Sequence, residues 1–200
     1  MENDLVKNTK IVSNIQQVQF FGNYRGTNAP TWDILLRSMS RLQSLELHFW
    51  SGELFFDIIA ENCLGLRELI LYRLRQGRAT KDLDKLPNLV SLLADTLKVL
   101  IIDSVDVNFS EKTAKSLQKS VSQCKYLECL KLDAEESPFV HFVNSRYKIQ
   151  TKLLLVTIRR SYKYLSVIRN INRCCNSDVN IHLTFDTYVD IDNHKHAFFR

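Results

Sequence analysis

Leu66-Arg67-Glu68-Leu69-Ile70-Leu71 sets three leucines at the first, fourth and sixth positions of a six-residue phrase, and the phrase recurs along the chain. Leu42-x-x-Leu45-x-Leu47, Leu97-x-x-Leu100-x-Ile102 and Leu127-x-x-Leu130-x-Leu132 are clear copies, and Ile15-x-x-Val18-x-Phe20 is a looser one upstream. Two weaker copies extend the series, Leu153-x-x-Val156-x-Ile158 and Asp178-x-x-Ile181-x-Leu183, the last with a polar residue in the leading place. The leading residues fall at 15, 42, 66, 97, 127, 153 and 178, a separation of 24 to 31 residues. Alternation within each phrase marks a strand with one apolar side. A fixed apolar phrase at this period describes a unit that cannot bury its apolar side alone and must stack on copies of itself.

The intervals are long enough for a helix, and they carry helical periodicity. Thr31 and Ser51 read as N-caps, ahead of Trp32, Leu35, Leu36 and Met39 and of Leu54, Phe55, Ile58 and Ile59. Ser110 followed by Glu111 opens a clearer helix, with Ala114, Leu117, Val121 and Cys124 on one stripe and Lys112, Lys115 and Lys119 facing water. A helix over 83–95, broken early by Pro87, and another carrying Leu165, Ile168, Ile171 and Cys175 complete the pattern. Strand followed by helix, repeated, gives parallel strands, because a parallel neighbour is reached only through a crossover. The stretches 22–30 and 76–80 are connecting segments, and no internal domain boundary is visible over residues 1–200.

A hydrophobic content of 45% with 24% charged residues is ordinary for a globular chain that buries one core. No apolar run approaches the roughly 20 residues of a membrane-spanning helix, and the opening residues lack the basic and apolar regions of a secretory signal. The five cysteines are odd in number and form no Cys-x-x-Cys pair, which fits buried free thiols in a reducing compartment. These features predict an intracellular protein, cytoplasmic or nuclear, and make the Asn108-Phe-Ser110 acceptor sequence accidental.

Catalytic signatures are poor. Asp57 and Glu61 stand four apart on an expected helix, and Asp133, Glu135 and Glu136 cluster after an expected strand; both read as solvated surface. There is no Gly-x-Ser-x-Gly elbow, and the glycines at 22 and 26 lack the Lys-Ser/Thr of a phosphate loop. His194 and His196, with Asp190 and Asp192 nearby, could contact a divalent metal but read as a tail, since a metal site needs three or four convergent ligands; His48, His141 and His182 are scattered. The expectation is a non-enzymatic chain with no catalytic residues, cofactor or metal.

Cys63-Leu-Gly-Leu66-Arg-Glu-Leu69-Ile-Leu71 and Cys124-Lys-Tyr-Leu127-Glu-Cys-Leu130-Lys-Leu132 both set a cysteine three residues before the first leucine. This resembles the cysteine-containing leucine-rich repeats of F-box proteins, of the ribonuclease-inhibitor-like type. The stretch Leu86-Pro-Asn-Leu-Val-Ser-Leu-Leu-Ala-Asp-Thr-Leu97-Lys-Val-Leu100 is similar to repeats of the large fungal F-box families. The resemblance covers roughly residues 11 to 185. It implies an α/β leucine-rich-repeat solenoid, with parallel strands on the concave face and helices on the convex face. It also implies a substrate receptor for a ubiquitin ligase, in which an F-box docks on Skp1 and a cullin while the repeats hold a protein target. No F-box is located in this sequence.

If the leucines point into the core, the residues between and after them form the other sheet face. The expected partner-binding positions are Glu46, His48, Glu68, Ile70, Tyr72, Val99, Ile101, Asp103, Lys131 and Asp133, with an apolar centre at Ile70, Tyr72, Val99 and Ile101. An apolar centre inside a polar rim is the anatomy of a protein-binding patch. The competing reading is a nucleic-acid or phosphate binder using two basic loops. These are 73–81, with Arg73, Arg75, Arg78 and Lys81, and 159–163, with Arg159, Arg160 and Lys163. A net charge of +5 permits it without implying it.

Overall fold

The computed structural model describes residues 14–21, 29–48, 55–72, 82–103, 110–135, 149, 151–159 and 179–186. The expected helix over 165–175, the loop 22–28, the basic residues 73–81 and 160–163, Cys174, Cys175, His141, His194 and His196 lie outside the described residues. Among the described residues, no helix is long and apolar enough to cross a membrane.

The chain is α/β. Seven strands form one parallel sheet in sequence order: β1 (Gln17–Phe21), β2 (Ser44–His48), β3 (Glu68–Tyr72), β4 (Val99–Asp103), β5 (Cys129–Glu135), β6 (Leu153–Arg159) and β7 (Asn180–Asp186). Helices α1 (Ala29–Ser38), α2 (Phe56–Asn62), α3 (Leu86–Leu92, entered through a 3₁₀ turn at Leu83–Lys85) and α4 (Glu111–Val121) lie in connections between consecutive strands, each helix against the next.

Every phrase from β1 to β5 pairs in the frame read from the sequence. Val18, Leu45, Leu69, Leu100 and Leu130 lie level across five strands, and so do Phe20, Leu47, Leu71, Ile102 and Leu132. The leucines Leu42, Leu66, Leu69, Leu71, Leu97, Leu100 and Leu130 are fully buried. They share one core with Leu36 and Met39 of the α1 end, Phe56 and Ile59 of α2, Leu86, Leu89 and Val90 of α3, and Leu117 and Val121 of α4. At about 25 cal/mol per Å² of apolar surface removed from water, this layer between helices and sheet is the main source of stability.

A second repeated contact fixes the frame. The carbonyl of Gln16 accepts hydrogen bonds from the amides of Gln43 and Ser44, that of Gln43 from Arg67 and Glu68, that of Arg67 from Lys98 and Val99, and that of Lys98 from Glu128 and Cys129. In each case the acceptor follows the first residue of a phrase. The sixth strand departs from the sequence reading here, because Leu154, not Val156, lies level with Leu130, and the repeated carbonyl is that of Lys152. Its frame is Thr151-x-x-Leu154-x-Val156, two residues earlier than expected. The unbroken apolar run 153–156 fits either frame, and pairing with β5 chooses one.

Helix ends also differ from expectation. α1 begins at Ala29, so Thr31 lies inside it, with Pro30 in the first turn where its missing N–H costs nothing. α2 begins at Phe56, not after Ser51, which lies outside the described residues. Phe55 precedes it in the left-handed region with φ 52°, uncommon for a bulky residue, and thereby turns the chain into the helix. The expected helix over 83–95 is divided near Pro87, into the 3₁₀ turn Leu83–Lys85 and α3, which takes Pro87 in its first turn and ends at Leu92. α4 is as read: the Ser110 hydroxyl accepts from the Thr113 amide at 3.1 Å, the stripe Ala114, Leu117, Val121 and Cys124 is buried, and Lys112, Lys115 and Lys119 are exposed.

Candidate functional site

The leucine side of the sheet is closed by helices, so the residues between the leucines define the surface of interest. Strand pairing arranges them in rows. One row runs Ser44, Glu68, Val99 and Cys129; the next Glu46, Ile70, Ile101 and Lys131; the third His48, Tyr72, Asp103 and Asp133. Neighbours in a row are about 4.8 Å apart, and successive rows on one strand about 6.6 Å apart. All ten expected partner-binding residues therefore occupy one face by register.

Their environments differ. Glu46, His48, Glu68, Ile70, Tyr72, Val99, Ile101 and Lys131 are half-buried. Ile70, Val99 and Ile101 stand outside the apolar core that the helices and leucines share. Asp103 is the exception: it is 4% exposed, and Lys131 Nζ donates to its Oδ2 at 3.0 Å. On β2, His48 Nε2 lies 2.9 Å from Glu46 Oε2, and its ring sits 5.4 Å from that of Tyr72 at an angle of 47°. Asp133 and Glu135 fall within β5, not after it, because that strand runs on to Glu135.

The shifted frame of β6 carries the apolar strip one strand further: Leu155 stands on this face as the alternation predicts, and Leu153 joins it. Leu153 is level with Cys129 and Leu155 with Lys131, both half-buried, so the apolar strip continues beyond Lys131. Leu153 was assigned to the core as a leading residue. The signal that places it on the second face is the spacing from Leu127 to Thr151, 24 residues, the same as from Leu42 to Leu66.

Two of the described thiols sit away from this face, and the third, Cys129, stands in its first row. The Cys63 thiol lies 3.9 Å from the Leu36 carbonyl and 3.7 Å from that of Met39, at the C-terminal end of α1. The Cys124 thiol lies 3.9 Å from the Val90 carbonyl in α3 and 3.6 Å from that of Ser120. Each thiol thus donates weakly to carbonyls near a helix end, three of which also accept a backbone amide: Leu36 from Met39, Met39 from Leu42 and Ser120 from Gln123. Burial pushes the Cys63 thiol up to about 11 and the Cys124 thiol up to about 12, so neither supplies a thiolate near neutral pH. Cys129 is raised in the same direction by burial, against a smaller opposing effect of Lys131. Asp57 and Glu61 are exposed on α2, where they pair with Lys85 and Arg37 of the flanking units. Among the described residues, no group of three or more His, Cys, Asp or Glu side chains is placed to hold a metal ion.

Comparison with protein-family models and with curated proteins finds no match for this chain.

Proposed function

We propose that this chain is a leucine-rich-repeat solenoid, strands concave and helices convex, that acts as a non-enzymatic protein-binding module. The observation that carries the reading is the second sheet face. Ile70, Val99 and Ile101 are half-buried there, outside the core, beside Tyr72 and inside a charged rim. Isolated exposed apolar residues need no explanation, whereas contiguous ones with a polar surround mark interaction surfaces.

The repeated backbone contacts, made by the same positions in successive units, support the repeat reading, and so do the two thiols, which make matching contacts in the third and fifth units. The cysteine placement supports an F-box type substrate receptor as the cellular setting, with Skp1 and a cullin as partners through an F-box and a protein target on the sheet. The basic loops that would serve a nucleic-acid binder lie outside the described residues, apart from Arg159 at the end of β6.

The test compares wild type with the double variant Tyr72→Ala/Ile101→Ala in pull-downs with and without nuclease, read by mass spectrometry. Retained proteins that the variant loses support the module, with a binding loss of about 2 kcal/mol or more, roughly 30-fold. Recovery of Skp1 and cullin supports ligase membership. Recovery that nuclease abolishes and the variant leaves unchanged overturns the reading in favour of nucleic acid.

A further inference from the structure

The chain carries a formal charge of +5, yet the face between β2 and β5 is acidic: Glu46, Glu68 and Asp103 stand against Lys131, with Asp133 level with Asp103. On the β4–β5 side the charge is answered, because Lys131 and Asp103 engage each other at 3.0 Å. On the β2–β3 side it is answered only in part. Glu46 meets His48, and Glu68 has no ion-pair partner among the described residues. Both carboxylates border Ile70, Glu46 level with it on the neighbouring strand and Glu68 two residues before it on its own.

A partner that covers Ile70 must therefore cover these carboxylates too. Removing a half-buried carboxylate from the rest of its water without a cation is costly, and a matching cation turns that cost into orientation and specificity. We infer that the partner presents a lysine or arginine beside an apolar side chain, its aliphatic stem lying over Ile70 between Glu46 and Glu68 and close to the ring of Tyr72. A long basic side chain suits the spot, since its methylenes match the isoleucine while its head reaches the acids and the aromatic ring. A polyphosphate is disfavoured on this same face. The inference rests on the protein-binding reading above and adds the partner's chemistry.

A randomised 12-residue peptide display library, selected against the full chain with the Tyr72→Ala/Ile101→Ala variant as counter-target, tests it. Enriched peptides should pair Lys or Arg with Leu, Ile, Phe or Tyr, and a synthetic peptide of that sequence should weaken with salt. Glu68→Lys should weaken that peptide about tenfold or more while the melting temperature stays near that of the wild type. The same substitution should shift a repeated selection toward Asp and Glu. Peptides that need Tyr72 and Ile101 but show no basic bias, or that bind Glu68→Lys equally well, would sink this inference and leave the protein-binding reading standing. Should no peptide discriminate wild type from the double variant, both would fall.

Discussion

Leu100 and Ile101 are adjacent in β4 and similar in size, yet they face opposite sides of the sheet. Leu100 is fully buried, level with Leu69 and Leu130, and packed in the layer that α2, α3 and α4 close. Replacing it with Ala removes three carbon atoms from the middle of that layer, where strands on both sides prevent collapse into the void. The expected cost is about 3 to 4 kcal/mol, within the usual range for a buried Leu-to-Ala change. For a chain of this length that lowers the melting temperature by roughly 10 °C. Ile101→Ala removes similar atoms from a half-buried place outside the core, and should cost about 1 kcal/mol, much of it lost strand preference. Urea unfolding followed by circular dichroism measures both, and the denaturant dependence should stay the same while the midpoints separate. If Ile101→Ala cost as much as Leu100→Ala, the second face would be a core, and the proposed binding surface would be lost with it.

Three further outcomes follow from particular contacts. Iodoacetamide at pH 8 should label Cys129 slowly and leave Cys63 and Cys124 unmodified until urea unfolds the chain, as read by peptide mass spectrometry; early labelling of Cys63 would contradict its burial. Because both buried thiols sit above the ordinary value of 9.0, the folded chain holds their protons more tightly than the unfolded one. Their contribution is therefore complete below about pH 9 and declines as pH rises toward 11 to 12, so urea midpoints should fall over that window. The decline should shrink in a Cys63→Ala/Cys124→Ala variant. Lys131→Ala removes the lysine that the buried Asp103 carboxylate engages and should cost about 1 to 3 kcal/mol, with Asp103→Asn in the same chain recovering part of it. Equal stability of single and double variants in urea melts would show that the pair does not couple.

The strands, their parallel order and the burial of the phrase leucines from Leu42 to Leu132 are legible in the sequence. Alternation along a strand is local geometry, and the phrase repeats often enough that each copy checks the others. The sequence also determined α4, because Ser110, its acidic first turn and the stripe through Cys124 agree with one another. The partner-binding function and the leucine-rich-repeat family remain proposals beyond that point, built on the face these strands create. Only the tertiary structure decided the frame of β6, since Leu153 to Val156 are all apolar and the choice between frames was made by hydrogen bonding to β5. The helix start at Ala29 places Thr31 inside the first helix in place of its cap, and the start at Phe56 follows the left-handed turn at Phe55. The engagement of Lys131 with Asp103 depends on the distance between strands some 30 residues apart in sequence. Such distances have no local signature, because they are fixed when the strands come into register and not by either segment alone.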